Sequence, residues 1–261
     1  MSLRASVLLV TLALTACIPS EIHAPIAQQE ADRQVIRFGE VSFTKLAEGV
    51  WMHTTYLDLM GFGPIPSNGL LVVDGENTIL VDTAWTDPQT EQVLRWAEQV
   101  LTKPVRAAVV THAHQDKMGG MAALRARGIP SWAHPWSNED APKNDLLPAD
   151  RALVFDANGW ATGSGAAALA PLQVYYPGGA HTRDNITVGL PIQGIAFGGC
   201  MIKSSDSATL GNLADADLKG YAQSTRNFGA AFADYAIIAM SHSPPEGRKA
   251  IERTEKLAKE L

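Results

Sequence analysis

Apolar and polar positions alternate along this chain in short runs separated by turn chemistry, and the runs begin at about residue 34. Residues 34–38 and 50–53 alternate with the period of two that marks half-buried strands. Residues 57–69, rich in glycine and proline with apolar side chains at the tip, read as a loop. Residues 70–73 and 78–81 flank Asp74-Gly75-Glu76-Asn77, a hairpin signal. Residues 90–101 have helical spacing, 105–110 form an apolar strand, and 119–126 suggest a helix closed by Gly128. Strands are expected at 129–133, 172–176, 186–190, 194–197 and 235–240, with helices at 216–228 and 248–261. Residues 137–171 show no sustained period. Strands followed by helices, twice over, imply a layered α/β fold with helices outside and one site along a shared edge.

The first 34 residues do not belong to that pattern. Arg4 supplies one positive charge, and residues 5–16 are apolar but far too short to span a bilayer. The run ends in Leu14-Thr15-Ala16-Cys17, which resembles a bacterial lipobox. Residues 1–16 are therefore expected to be a lipoprotein signal peptide, with Cys17 lipidated and residues 17–34 a polar tether to a domain spanning 35–261. A plain secretory signal is the alternative. Ile18 after Cys17 favours the outer membrane, which places the protein in the periplasm of a Gram-negative bacterium, on the inner leaflet.

Cysteine usage sharpens the reading. With Cys17 acylated the mature chain keeps a single thiol, Cys200, so it can form no internal disulfide. A lone thiol in an oxidising compartment needs protection, by a metal or by burial. The net charge of −6 argues against a nucleic-acid partner. No heptad is visible, and a monomer is expected.

Chemistry concentrates at the predicted strand ends. Directly after residues 105–110 come His112, His114 and Asp116, at alternate positions where a strand gives way to a turn. Later strand ends bring His181, Cys200 and His242. Three histidines make one open zinc site, with water as the fourth ligand. Asp116, Cys200 and His242 make a second site of mixed O, S and N donors, which zinc accepts well. His23, His53 and His134 match no ligand position.

These segments resemble subclass B1 metallo-β-lactamases, closest to the New Delhi type. The resemblance is carried by residues 111–121, Asp82 to Asp87, Asn158-Gly159-Trp160, residues 184–189, Ile195 to Cys200 and Met240 to Ser243, and it runs from about residue 35 to the C-terminus. Relatives on the same fold that open lactones or thioesters carry HxHxDH; here the last position is Lys117, which cannot ligate zinc while protonated. They also use a bridging carboxylate where this chain has Cys200.

The resemblance implies a four-layer αβ/βα sandwich and two zinc ions, the first on His112, His114 and His181, the second on Asp116, Cys200 and His242. It implies hydrolysis of penicillins, cephalosporins and carbapenems by a zinc-bound hydroxide, with Asp116 orienting it, Asn212 donating to the oxyanion and Lys203 binding the drug's carboxylate. The second zinc would stabilise the leaving nitrogen. Asp82 would accept from a ligand histidine. Residues 57–69 would form a flap, stiffened by Pro64 and Pro66, whose Met60 and Phe62 face Trp85 across apolar substituents of the substrate. The alternatives are a lactone or thioester hydrolase of the same fold, or a non-enzymatic periplasmic zinc-binding lipoprotein.

Overall fold

The computed structural model describes residues 33–261. The expected signal peptide, the lipidation site at Cys17 and nearly all of the tether lie outside the described residues.

Two sheets face each other. The larger runs β1 (Val35–Phe38), β2 (Val41–Ala47), β3 (Val50–Leu59), β4 (Gly63–Asp74), β5 (Asn77–Val81), β6 (Val105–Val109), β7 (Ser131–Ala133) and β8 (Arg151–Ala152), in chain order. Its first five strands pair antiparallel and the rest parallel. A small hairpin pairs β9 (Val154–Phe155) with β10 (Ala161–Thr162). The second sheet holds β11 (Gln173–Tyr175), β12 (Thr187–Leu190), β13 (Ile195–Phe197) and β14 (Ile237–Ala239).

Strand alternation builds three cores. Leu70, Val72, Ile79, Val81 and Val109 point between the sheets and meet Val188, Leu190, Ile195 and Phe197. Their neighbours Leu71, Leu80 and Ala108 point the other way, onto Val93, Leu94 and Trp96 of α1 (Asp87–Gln99). Beyond the second sheet, Tyr221 and Phe228 of α6 (Tyr221–Ala231) and Ile251 and Leu257 of α7 (Lys249–Ala258) pack on Ala196, Ile238 and Met240. The result is the four-layer αβ/βα sandwich, with helices on both outer faces.

Several elements differ from the pattern reading. The expected loop at 57–69 is mostly strand: β3 continues to Leu59, β4 starts at Gly63, and only residues 60–62 turn. Pro64 and Pro66 fit because N–H groups alternate sides along a strand. Both nitrogens face the side to which Asn68 N–H points, away from β3, where Asn68 donates to Ser241 O. The segment expected as a flap is thus a hydrogen-bonded hairpin, its two limbs paired from His53↔Gly69 to Leu59↔Gly63. β2 was not anticipated; its apolar positions are broken by Ser42, Thr44 and Lys45.

The expected helix at 119–126 is present from Met121 as α3 (Met121–Ala126), and a short helix that was not expected, α2 (Gln115–Met118), precedes it, the two parted by Gly119 and Gly120. A Cβ on Gly119 would lie 2.0 Å from Trp85 O, and one on Gly120 1.8 Å from Thr90 Oγ1, so this break permits a close chain crossing. Within 137–171 lie most of α4 (Pro135–Asp140), a 3-10 turn, β8, β9, β10 and α5 (Gly163–Leu169). His134, which matches no ligand position, caps α4 by accepting from Trp136 N at 3.1 Å.

Candidate metal centre

Strands that are buried in the sandwich end together at one edge, and there the backbone exchanges ladder bonds for side-chain chemistry. β6 leads into Thr111 and His112, β13 into Gly198-Gly199-Cys200, and β14 into Ser241 and His242. All six sequence-predicted ligands converge. His112 Nε2 lies 3.1 Å from His114 Nδ1, which lies 3.2 Å from His181 Nε2. Cys200 Sγ is 3.4 Å from Asp116 Oδ2 and 3.2 Å from His242 Nε2, and those last two atoms are 3.6 Å apart. Tetrahedral zinc with Zn–N of about 2.0–2.1 Å and Zn–S of about 2.3 Å separates donor atoms by roughly 3.3–3.6 Å. These donor separations, 3.1–3.6 Å, lie within about 0.4 Å of that spacing.

The far side of the imidazoles supports the same fit. A ligating histidine offers one nitrogen and donates from the other. His114 Nε2 meets Asp215 Oδ2 at 3.0 Å, which leaves Nδ1 with its lone pair toward the cluster. His242 Nδ1 donates to Pro66 O at 2.7 Å, which leaves Nε2 free. His112 Nδ1 lies 3.3 Å from Thr111 Oγ1, whose hydroxyl donates to Asp82 Oδ2 at 2.9 Å. The expectation that Asp82 accepts directly from a ligand histidine is therefore corrected, because Thr111 stands between them. Asp82 also accepts from Thr111 N at 2.6 Å. Among the described residues, the buried His181 Nδ1 has no hydrogen-bond partner.

Electrostatics are severe because His112, Asp116, His181 and Cys200 are buried. Burial, reinforced by the neighbouring imidazoles, holds His112 well below the ordinary histidine range. Burial, helped by Lys203 and His114, does the same to His181. Burial and then Asp116 push the Cys200 thiol up to about 12, so a cation must displace its proton. Burial works to raise Asp116, but Lys117, His242, His112 and His114 outweigh it and hold the carboxyl well below the usual range.

Lys117 is the group beneath this balance. It is fully buried, its Nζ 3.2 Å from Asp116 Oδ2 and 3.6 Å from Asp82 Oδ2, donating to Ser67 Oγ at 2.9 Å and Asn68 O at 3.0 Å. Its carboxylate neighbours and Cys200 raise its pKa despite burial. The position that departs from HxHxDH thus holds a cation under the second donor set.

The remaining predicted residues fall around the edge. Lys203 is partly buried, with its backbone N–H on Thr254 Oγ1 at 2.8 Å; burial lowers its pKa against the pull of Cys200 and Asp116. Asn212 is exposed, and its Oδ1 accepts from Ala214 N at 3.0 Å, leaving its NH2 group available. Met60 and Phe62 are 97% and 81% exposed at the hairpin tip, whereas Trp85 is only 7% exposed and offers little of its ring. A cavity of about 320 Å³ opens beside His114, lined by Asn144, Thr182, Arg183, Asp184 and Asp215 among others.

Three contributors escaped the pattern reading. Asp215 looks like any loop carboxylate until the fold brings it 101 positions back to His114. Asn185 organises the His181 turn by accepting from Ala180 N and Thr182 N, both at 3.1 Å. Asn68 Nδ2 donates to Met240 O and Ser243 O, on either side of His242. Asp215 and Asn68 have no local sequence signal, whereas Asn185 falls in the motif segment 184–189 without its role being legible there.

Comparison with known proteins places this geometry in a family. The family model for the metallo-beta-lactamase superfamily matches residues 62–242. The chain belongs to this superfamily. The metallo-beta-lactamase type 2 of Bacteroides fragilis is 31% identical over 227 residues, covering 87% of this chain and 89% of that one. A metallo-beta-lactamase structure from Erythrobacter litoralis, described with beta-mercaptoethanol in the active site, is 76% identical, with a TM-score of 0.87 over 87% of this chain and all of its own. A structure from the same organism, described as an NDM_FIM-1 like metallo-beta-lactamase in the mono-zinc form, is 73% identical, with a TM-score of 0.73 over 87% of this chain and 100% of that one. The chain is a metallo-β-lactamase close to the New Delhi type.

Proposed function

We propose that this metallo-β-lactamase is a subclass B1 enzyme holding two zinc ions, and that it opens the lactam amide of penicillins, cephalosporins and carbapenems, conferring resistance to them. The observation that carries the reading is the pair of donor sets on one sheet edge: three imidazoles beside a carboxylate, a thiol and an imidazole. Bound there, zinc supplies Lewis-acid polarisation of a carbonyl and activates water at neutral pH.

The chain's own residues do the positioning. His112, His114 and His181 would hold one ion, and Asp116, Cys200 and His242 the other. Asp116, kept ionised by Lys117, accepts a hydrogen bond from the attacking water and aims it. The Asn212 amide donates to the oxyanion as it develops; its share is supportive beside the metal. Lys203, in the field of Cys200 and Asp116, attracts the substrate's carboxylate as a point charge. Met60 and Phe62 supply the apolar cover that a substrate substituent would bury. Trp85 contributes at most a strip of the opposite wall.

A lipid anchor at Cys17, a periplasmic location on the outer membrane and a monomeric state complete the proposal; residues 14–17 motivate the first two. The test is carbapenem hydrolysis by the purified protein, with zinc per chain measured alongside, before and after chelation and after zinc is restored. Turnover lost with the metal and regained with it supports the reading. A protein that carries two zinc ions per chain and leaves every β-lactam intact refutes it.

A further inference from the structure

Asn68 makes more polar connections to the second donor set's surroundings than any role in the hairpin requires. It is 3% exposed, on the part of β4 that has left its pairing with β5. Its backbone N–H donates to Ser241 O at 2.8 Å. Its side-chain Nδ2 donates to Met240 O and to Ser243 O, both at 2.9 Å. Its Oδ1 accepts from Thr54 Oγ1 at 2.7 Å, and its carbonyl accepts from Lys117 Nζ at 3.0 Å. Because two of its partners are carbonyl oxygens, the amide has only one orientation that pairs.

Those three acceptors, the carbonyls of Met240, Ser241 and Ser243, bracket His242. On the opposite side of the same turn, Ser241 N–H donates to Gly199 O, next to Cys200. The His242 turn is therefore clamped between the end of β13 and the stem of the hairpin, and His242 Nδ1 adds a bond to Pro66 O on that stem. The first donor set differs. Among the described residues, His112, His114 and His181 make no hydrogen bond to β4.

We infer that Asn68 is a positioning residue for the second metal site: its amide fork fixes the turn that presents His242, and so sets the affinity of the Asp116, Cys200 and His242 donors without touching the metal. The inference rests on the two-metal reading above. Only an amide satisfies the geometry, since two carbonyls need two protons from one short side chain while Thr54 needs an acceptor. An aspartate of the same shape would set a carboxylate against both carbonyls.

Cobalt is the probe, because a thiolate ligand gives a charge-transfer absorption that a three-histidine site lacks. Cobalt affinity at each site is measured by chelator competition, with no lactam present, for the wild type, Asn68→Asp and Thr54→Val. Asn68→Asp is expected to raise the second-site Kd at least about tenfold, within the range for outer-shell partners, and to leave the first-site Kd within about twofold. Thr54→Val, which removes only the bond that orients the amide, is expected to raise the second-site Kd by a few fold. If Asn68→Asp does not fold, Thr54→Val alone decides. Equal weakening of both sites, or an unchanged second-site Kd, overturns the inference. A wild type with no thiolate band overturns the two-metal reading itself.

Discussion

Replacing Lys117 by Met tests whether the buried cation holds the carboxylates beneath the second site. Methionine keeps most of the volume and the unbranched stem, so packing changes little. The charge is what disappears. At 3.2 Å from Asp116 the attraction is worth about 5 kcal/mol at an effective dielectric of about 20. Asp82 at 3.6 Å adds less, because burial raises its carboxyl to about 7 and leaves it only partly ionised at neutral pH. Desolvation of the lysine offsets much of this, and removing one partner of a buried ion pair costs roughly 3–5 kcal/mol in practice. Lys117→Met should therefore lower the unfolding free energy of zinc-free protein by about that amount, read from urea denaturation. Zinc on Asp116 would take over part of the compensation, so the zinc-loaded protein should lose distinctly less. Equal losses with and without zinc, or a loss below about 1 kcal/mol, would show that Lys117 is not the counter-charge.

Other outcomes follow from the same geometry. Asp215→Asn frees the His114 tautomer and should weaken first-site zinc affinity about ten- to hundredfold, while second-site affinity stays as it was; competition titration separates the two. His53, fully buried with Nε2 on Asp82 O at 3.2 Å, has a pKa lowered by burial, and then by Lys117, to about 4. Its folded value lies below its unfolded one, so stability is full above about pH 6.5 and falls as the pH drops toward 4, by about 3 kcal/mol at the limit. Denaturation midpoints of zinc-free His53→Leu should lack that component; an identical pH slope would contradict it. Lys203→Ala should mainly raise KM for carboxylate-bearing lactams, and an unchanged KM would remove it from substrate binding. Met60→Ala and Phe62→Ala should shift stability by less than about 0.5 kcal/mol because both side chains are solvent-exposed, yet raise KM for substrates with bulky apolar substituents. A thermal melt and steady-state kinetics check both halves of that statement.

Much of this protein was legible in one dimension. A ligand set is a matter of residue type at strand ends, and His112, His114, Asp116, His181, Cys200 and His242 all sit where an apolar run stops. Their convergence follows once the strands share a sheet edge. The Asp74 to Asn77 turn was equally plain, because a two-residue hairpin demands local chemistry at Gly75-Glu76 that no distant contact can supply.

What the tertiary structure decided was everything held by a partner far along the chain. Residues 57–69 have loop composition, and only the seven β3–β4 pairs from His53↔Gly69 to Leu59↔Gly63 make most of them strand. The break at Gly119 and Gly120 belongs to Trp85 and Thr90, which occupy the space a side chain would need. Asp215 and Asn68 lie in none of the motif segments, and their roles, like that of Thr111 between His112 and Asp82, come from acceptors and donors set beside them by the fold. Residue type and spacing name the groups that can bind a metal, since coordination chemistry is intrinsic to the side chain. Which nitrogen of each imidazole faces inward, which carboxylate stays charged and which turn is held still depend on hydrogen bonds and burial. Those come into being only when the two sheets close on each other.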